Sequence, residues 1–283
     1  MTESHRDLIY DVGLFDGADT AYYLFRGYNV VAIDANPLMI EKSKVRFARE
    51  IEEKRLTLLN IGIAEKPGTA TFWISDVPEW SSFDQTIASR VGAACTPAPV
   101  VTMPFSRLLA EYGVPHYIKI DIEGSDRLCV DALRTELPRY ISVEAECVND
   151  FTVLSDDQAV AMLGLLRDLG YRRFKLVDQG RGWTAVRPNP VPRFVMRLVA
   201  RAAHGRRRVR GLSGIADRFS DLRRLSALGF AFSPGSSGPW GDDIPGPWMP
   251  FETARSIYLK ERHLFFSRKR PLHAFWYDWH ATY

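Results

Sequence analysis

The sequence predicts an α/β fold, in which a mainly parallel β-sheet is covered by helices on both faces. Apolar runs of strand length alternate with helical segments from residue 8 to residue 177. Most of these runs are continuously apolar, which is typical of parallel strands buried on both faces. Several of them end in an acidic residue or a glycine, and ligands of such sheets bind at the carboxyl ends of the strands.

The composition is that of a globular protein from a reducing compartment. At 283 residues the chain is long enough for one large α/β domain with an elaboration. A net charge of +3 is too small to indicate a class of partner. The cysteines Cys95, Cys129 and Cys147 lack metal-type spacing, which favours reduced thiols. The polar start of the chain and the absence of a long apolar run lead us to expect a cytoplasmic protein.

The chain begins with half of a nucleotide-binding βαβ unit. The pattern predicts a strand at 8–12, a helix over 18–26 and a second strand at 29–33. Gly27 is placed to end the helix. Asp34 follows the second strand, where an acid is placed to accept hydrogen bonds from the hydroxyls of a ribose.

The glycines of the first turn separate two classes of cofactor. Gly13 and Gly17 permit a tight turn, but they do not form the Gly-x-Gly-x-x-Gly pattern of a dinucleotide site. Three acids lie around this turn: Asp11, Asp16 and Asp19. Acids repel a pyrophosphate and suit a ligand with a ribose and a cationic centre, such as S-adenosylmethionine. Taken alone, the motif fits a purely structural turn equally well.

The following elements continue the alternation. Asn36 is predicted as the N-cap of the second helix, with Pro37 as its first residue. Further strands are predicted at 55–63, 69–74, 100–103, 117–122, 140–146 and 173–177, and further helices at 104–112, 125–133 and 155–169. Gln158 completes a capping box with Ser155 at the start of the last of these helices.

Acidic residues recur at the carboxyl ends of the predicted strands. They are Asp11, Asp34, Asp121, Glu123, Glu144 and Glu146. The carboxyl ends of parallel strands meet at one edge of the sheet, so these side chains should converge there. One acid at such an edge is commonplace, whereas six favour a binding site over a solvated surface.

Four motifs occur in a fixed order along the chain. They are Asp11-Val12-Gly13, Asp34-Ala35-Asn36-Pro37, Asn60-Ile61-Gly62 and Ile118-Lys119-Ile120-Asp121-Ile122-Glu123-Gly124. In this order they resemble the FkbM-type methyltransferases, over residues 7–178. The chain departs from the commoner family pattern at Leu14-Phe15, where Ala-Asn is more frequent.

The resemblance implies a Rossmann-like class I methyltransferase fold with a seven-stranded sheet whose last strand is antiparallel. It also implies S-adenosylmethionine as cofactor and methyl transfer, usually to a hydroxyl of a sugar or natural product. The cofactor-binding residues that it implies are Asp11, Gly13, Gly17, Asp34, Asn36, Asn60, Asp121 and Glu123. Of these, Asp34 would hold the ribose, Asn60 would lie near the adenine, and Asp121 would lie at the methionine and substrate end.

A hydroxyl acceptor has to lose its proton, and a carboxylate near the methyl position accelerates this step. We predict Asp121 as the first candidate and Glu144 as the second. Glu144 has an alternative role as the buried partner of an arginine, and Glu123 as a helix cap. A divalent metal between Asp121 and Glu144 is a further alternative, but the sequence contains no explicit ligand cluster, and we predict no metal.

The segment from Arg193 to Arg224 is strongly basic, with ten arginines and two aspartates. Part of it has the pattern of an amphipathic helix. A solvated helical insertion is the simplest interpretation, and contact with an anionic surface is the main alternative. No aromatic-rich RNA module accompanies the arginines, so nucleic acid is not favoured as a partner.

Residues 233–248 are rich in glycine and proline, with tryptophans and acids among them. We predict an ordered loop over the carboxyl-end edge, because functional loops lie on rigid scaffolds. The candidate substrate contacts are Ser236, Ser237, Trp240 and Asp242. A surface loop fixed by its prolines is the alternative.

The predicted organisation has three parts: a cofactor-binding domain over 1–187, a basic helical insertion with a lid loop over 188–270, and a strand over 271–283 that returns to the sheet. Asp278 or His280 of that strand could reach the site. The sequence predicts an O-methyltransferase for a small metabolite or a glycan. The alternatives are an NAD(P)-dependent oxidoreductase and a catalytically silent methyltransferase-like binding module.

Overall fold

A computed structural model describes residues 5–122, 124–146, 148–149, 152–181, 183–188, 225–233, 235–268 and 275–283. Its strands are β1 (His5–Val12), β2 (Asn29–Asp34), β3 (Leu56–Asn60), β4 (Gly62–Ile63), β5 (Gly68–Ser75), β6 (Cys95–Met103), β7 (Pro115–Ile120), β8 (Tyr140–Glu144), β9 (Val148–Asn149), β10 (Thr152–Val153), β11 (Arg173–Asp178), β12 (Thr184–Ala185) and β13 (Tyr277–Thr282). Its α-helices are α1 (Ala18–Phe25), α2 (Pro37–Arg46), α3 (Ala48–Glu52), α4 (Gln85–Ala88), α5 (Phe105–Tyr112), α6 (Asp126–Asp131), α7 (Asp156–Ala159), α8 (Ala161–Leu169) and α9 (Phe251–Ser267).

The main sheet has the strand order β12-β11-β13-β8-β7-β1-β2-β3. The pairs from β3 to β8 are parallel, and β13 lies antiparallel between β8 and β11. The end of the chain therefore returns to the sheet as an antiparallel strand, as predicted. The predicted count of seven strands is one too low, because the two-residue strand β12 pairs with β11. Two residues are too few to leave a periodic pattern in the sequence.

The segment after β3 forms a separate sheet, which was not predicted from the sequence. A separate three-stranded sheet, β4-β6-β5, holds the predicted strands at 69–74 and 100–103. β6 begins at Cys95, five residues before its predicted start. Pro97 and Pro99 lie in the part that was not predicted, and proline is uncommon within strands. Proline has no backbone N–H group, and residues two apart in a strand direct their N–H groups to the same side of it. β4 pairs with β6 only at Thr102 and Met103, which lie beyond the prolines.

Capping chemistry sets several helix boundaries where the sequence places them. The Asn36 side chain accepts a hydrogen bond from the backbone N–H of Leu38 and caps α2. The capping box of Ser155 and Gln158 is formed at α7. The second predicted helix is divided at Phe47, whose φ of −113° and ψ of 26° separate α2 from α3.

The main sheet packs a core against each of its faces. One face meets α5, α6, α8 and α9 through large buried side chains such as Tyr10, Phe174, Tyr258 and Trp279. The other face is covered by α1, α2 and the segment 235–248, with Tyr22, Tyr23 and Tyr117 at its centre. Side chains alternate between the two faces along each strand, and most of the polar residues of the site lie on the α1 face.

The segment 235–248 runs along the α1 face of the sheet, from the carboxyl ends of the strands towards their amino ends. Near the middle of this segment, Trp240 stacks on Tyr117 with ring centroids 4.7 Å apart and an interplanar angle of 9°. Trp240 also meets the rings of His116 and Tyr140. These three residues begin β7 and β8, so Trp240 lies at the amino ends of the strands. The prediction that this whole segment covers the carboxyl-end edge is therefore wrong for its second half.

Some predicted features lie outside the described residues. They are Glu123 and the basic segment from Arg193 to Arg224. The proposed boundaries at 187/188 and 270/271 stay predictions. Within the described part of the chain, none of the helices has both the length and the apolar character that crossing a membrane requires.

The burial of Trp240 gives a stability prediction. Trp240→Ala should lower the free energy of unfolding by about 3–5 kcal/mol, because a large buried aromatic side chain leaves a cavity. The exposed Val45→Ala on α2, where the side chain is 82% exposed, should change it by less than about 0.5 kcal/mol. Urea unfolding followed by circular dichroism measures both values. An unchanged midpoint for Trp240→Ala would contradict the packing role.

Candidate functional site

The site is organised around a buried lysine at the carboxyl ends of β1 and β7. Lys119 is 3% exposed, and its Nζ donates a 2.6 Å hydrogen bond to the carbonyl oxygen of Gly13. The same ammonium lies 3.5 Å from Oδ1 of Asp11 and 3.5 Å from Oδ2 of Asp121. Burial by itself lowers the pKa of Lys119, but the carboxylates around it more than reverse this effect, so its pKa is raised. The lysine is therefore permanently charged.

Lys119 belongs to a row of buried polar side chains that crosses five strands on the α1 face. The row is fixed by strand register: Asp11 of β1, Lys119 of β7, Ser142 of β8, His280 of β13 and Lys175 of β11 are successive Cα partners. All five are at most 3% exposed. Such a row requires internal partners, since each unpaired buried polar group costs about 1–3 kcal/mol.

The first turn is closed by contacts that only glycine permits. Gly13 has a φ of +88°, and a Cβ atom there would lie 1.8 Å from the carbonyl oxygen of Asp121. The turn is thereby held against the end of β7, where the backbone N–H of Asp121 also donates to the carbonyl of Val12. Gly17 has a φ of +76°, and a Cβ atom there would meet the ring of Phe47. The predicted tight turn is present at both glycines.

Asp34 organises the loops at the end of β2. Its Oδ2 accepts a 2.7 Å hydrogen bond from the backbone N–H of Phe15, and its Oδ1 accepts one of 2.7 Å from Asn36. Burial raises the pKa of Asp34 to about 6, and these two hydrogen bonds oppose the rise. The Asn60 amide donates to the carbonyls of Asp34 and Ala35, which joins the ends of β2 and β3. Asn36 is buried as the cap of α2.

Asp19 connects the first turn to the segment 235–248. The Oδ2 of this buried carboxyl accepts a 3.0 Å hydrogen bond from the N–H of Ser237, and Oδ1 accepts one of 3.1 Å from Gly238. Burial raises the pKa of Asp19 to about 7, with Lys119 and the two amides opposing the rise. Ser236 and Ser237 thus lie beside the start of α1, near the carboxyl-end edge. Their role as substrate contacts stays a prediction.

The predicted substrate residues at the other end of this segment have structural partners. Asp242 accepts hydrogen bonds from the hydroxyl of Tyr140 at 3.0 Å and from Nε1 of Trp248 at 2.7 Å. The hydrogen bond from Trp248 lowers the pKa of Asp242. Trp240 and Asp242 therefore lie at the amino ends of the strands, away from the residues around Lys119. Their position differs from the expected one at the carboxyl ends, and their role as substrate contacts stays a prediction.

The two predicted catalytic carboxylates border the same edge. Asp121 directly follows β7, with 48% of its side chain exposed, and lies beside Lys119. Glu144 ends β8 and is half-buried. Its Cα partner across the sheet is Asp278 of β13, which the antiparallel direction of that strand brings to this edge. The catalytic assignment of Asp121 and Glu144 stays a prediction.

Two residues of this region have roles that were not predicted from the sequence: Lys119 as the centre of the ion pairs, and Asp19 as the anchor of a loop. The sequence does contain a signal for the role of Lys119, because a lysine within a buried apolar strand requires charged or polar partners. Asp19 and its partner Ser237 are 218 residues apart, and sequence spacing does not predict such a contact. Within the described residues, no group of three or more His, Cys, Asp or Glu side chains is arranged to hold a metal ion.

The strand order and the acid-lined turn agree with a comparison to known families. Residues 11–173, more than half of the chain, match the model of the FkbM methyltransferase domain. The chain belongs to this family. FkbM membership implies methyl transfer that depends on S-adenosylmethionine, and the matched span contains the first turn, Asp34, Asn60 and the end of β7.

Other comparisons add little to the family match. The solved X-ray structure of YjhP from E. coli covers 99% of this chain and 86% of that chain, with 13% identity and a TM-score of 0.33. A likeness this weak carries no argument about function. No curated protein matches the chain.

The buried carboxyls of the site give a prediction for the pH dependence of stability. Burial raises the pKa of Asp278 to about 8, and of Asp19 and Asp126 to about 7. In the unfolded chain these three groups are ionised above about pH 5, so between pH 6.5 and 8.5 they lose protons only in the folded protein. Stability should therefore fall by roughly 2–4 kcal/mol across this range. His280, whose pKa burial lowers to about 3, opposes this fall by roughly 0.4 kcal/mol, because in the unfolded chain it still loses about half a proton above pH 6.5.

Urea unfolding at several pH values measures this dependence. Asp278→Asn should flatten the fall, because Asp278 titrates highest of the three. The control Asp84→Asn should leave it unchanged, since the hydrogen bond from Thr86 lowers the pKa of Asp84 below the range. Stability that rises from pH 6.5 to 8.5 would contradict the raised pKa values.

Proposed function

We propose that this FkbM family member transfers the methyl group of S-adenosylmethionine to a hydroxyl group of a small metabolite or glycan. The observation that carries this proposal is the charge balance at the carboxyl-end edge. Four carboxyl groups, those of Asp11, Asp19, Asp121 and Asp278, act on one another and on the single ammonium of Lys119. A cationic ligand would relieve this excess of acid, whereas a pyrophosphate would add to it.

The residues of the first turn fit a cationic ligand that carries a ribose. Oδ1 of Asp11 is buried and accepts no hydrogen bond from the described residues, and its ion pair with Lys119 is long, at 3.5 Å. Asp34 is the last residue of β2 and is half-buried, and a carboxylate oxygen that accepts one hydrogen bond can accept a second. In this proposal Asp11, Gly13 and Gly17 shape the cofactor turn, Asp34 binds the ribose, and Asn36 and Asn60 hold the loops around the adenine.

The cofactor supplies an activated methyl group, so the difficult chemistry is its own. The protein has to align the acceptor oxygen with the methyl carbon, exclude water and remove the acceptor's proton. Asp121 and Glu144 border the edge where this occurs. Ser236 and Ser237, tied to Asp19, are the proposed contacts to the acceptor.

Two other functions are distinguished by binding measurements. An NAD(P)-dependent oxidoreductase is disfavoured by the acids around the first turn and by the lack of a third pyrophosphate glycine. A catalytically silent member would bind the cofactor but would transfer no methyl group to any member of a broad panel of hydroxyl compounds. Calorimetry with S-adenosylmethionine and with NAD, followed by that panel, separates all three.

The ribose assignment predicts the effect of Asp34→Ala. This substitution should weaken binding of S-adenosylmethionine at least about tenfold, because a hydrogen bond to a charged group contributes about 1.5–3 kcal/mol. Asp168→Ala, an exposed change at the amino-end edge of the fold, should leave the dissociation constant unchanged. Thermal unfolding of both variants shows whether the loops that Asp34 holds remain formed. Unchanged affinity in a folded Asp34→Ala protein would overturn the ribose assignment.

A further inference from the structure

Asp278 lies at the carboxyl-end edge although it comes near the end of the chain. It is the second residue of β13, and its Cα partners are Glu144 of β8 and Val177 of β11. The neighbouring side chains of Tyr277 and Trp279 pack into the core on the α9 face. Strand alternation therefore directs Asp278 to the α1 face, the face of Lys119 and Asp19.

The Asp278 carboxyl is held by an amide. Oδ2 of Asp278 accepts a short hydrogen bond from Nε2 of Gln179. Both residues are more than nine-tenths buried. Oε1 of Gln179 is also buried and has no hydrogen-bond partner among the described residues. A buried acceptor without a donor is costly, and a hydroxyl group of a ligand would satisfy it.

Charged groups from every neighbouring element act on Asp278 or border it. They are Asp121 and Lys119 of β7 and its end, Asp19 of α1, and Glu144, the Cα partner on β8. Asp178 of β11 is the Cα partner of Tyr277 and lies on the other face. Burial raises the pKa of Asp278 to about 8, and the Asp121 carboxylate raises it further, while Gln179 and Lys119 oppose the rise. Near neutral pH the group therefore has the proton affinity that general-base chemistry requires.

We propose that Asp278 is the catalytic base that takes the proton of the acceptor hydroxyl, and that Gln179 is the positioning residue that holds its carboxylate. This assignment rests on the proposed function. In the step, the acceptor oxygen forms a bond to the methyl carbon, and the carbon–sulfur bond breaks with its electron pair left on sulfur. The electron pair of the acceptor O–H bond stays on oxygen, and the proton passes to a carboxylate oxygen of Asp278.

The charge balance of the site supports this role. A positive charge near Asp278 favours the ionised carboxylate, so binding of the cationic cofactor prepares the base. The transfer removes one positive and one negative charge together, which is favourable where water is excluded. Asp121 is less suited to accept the proton, because its carboxylate forms an ion pair with Lys119 at 3.5 Å.

The first test measures protons and needs no turnover. Calorimetry at pH 7.5 in buffers of different ionisation enthalpy gives the number of protons released on binding. S-adenosylmethionine should release roughly half a proton more than the uncharged product S-adenosylhomocysteine, because only the cation lowers the pKa of Asp278. Asp278→Asn should remove most of this difference, because Asp19, with its lower pKa of about 7, is already mostly ionised at pH 7.5. The control Asp126→Asn, which removes another buried carboxyl with a pKa of about 7, should preserve it.

The second test measures methyl transfer. Asp278→Asn should lower kcat by about 10²- to 10⁴-fold and change cofactor affinity by only a few-fold. Gln179→Leu should shift the rising limb of the kcat–pH profile to higher pH, because the amide lowers the pKa of the carboxyl. A purely structural role would leave that limb in place.

The outcomes separate the two proposals. If Asp278→Asn transfers methyl groups at the wild-type rate, or if Asp126→Asn abolishes the proton difference instead, the assignment of Asp278 is wrong while the proposed function stands. If the wild-type protein binds neither sulfur ligand, the proposed function is overturned, and the assignment falls with it.

Discussion

The buried ammonium of Lys119 is the interaction on which the rest of the site depends. It joins the carbonyl of Gly13 to the carboxylates of Asp11 and Asp121, and so it holds the first turn against the end of β7. A charge in this position cannot be solvated, and the surrounding acids hold it in its protonated form. Burial, with repulsion among the acids, keeps some of them protonated near neutral pH. In the proposed function this edge receives one more positive charge, that of the cofactor.

The C-terminal third of the chain completes this edge from the α1 face. Lys175 donates hydrogen bonds to the carbonyls of Gly241 and Ile244, and Asp19 accepts two from Ser237 and Gly238. These hydrogen bonds fix the segment 235–248 to β11 and to the start of α1. β13 then inserts between β8 and β11 and carries Asp278 to the carboxyl ends. Residues far apart in the chain meet because the last strand runs antiparallel.

The sequence was sufficient for the order of strands and helices, the tight glycine turn, the caps of α2 and α7 and the returning strand. These features depend on local periodicity and on residues with special backbone preferences. It was insufficient for the sheet β4-β6-β5, because Pro97 and Pro99 make the first half of β6 unlike a strand in sequence. It was also insufficient for the position of Trp240. The row from Asp11 to Lys175 depends on the register of five strands, and no local pattern encodes that register. Asp19 was named only as one of the acids around the first turn, and its contacts with Ser237 and Gly238 join residues too far apart in the chain for a local pattern to predict.

The most direct test of this account is the stability of Lys119→Met, measured by urea unfolding at pH 7. The account predicts a loss of about 3–5 kcal/mol, because removal of one member of a buried ion pair leaves uncompensated charge. Adding Asp11→Asn to the same protein should restore part of that loss. An unchanged unfolding midpoint for Lys119→Met, or a further loss from the second substitution equal to its cost in the wild-type background, would contradict the central role of this lysine.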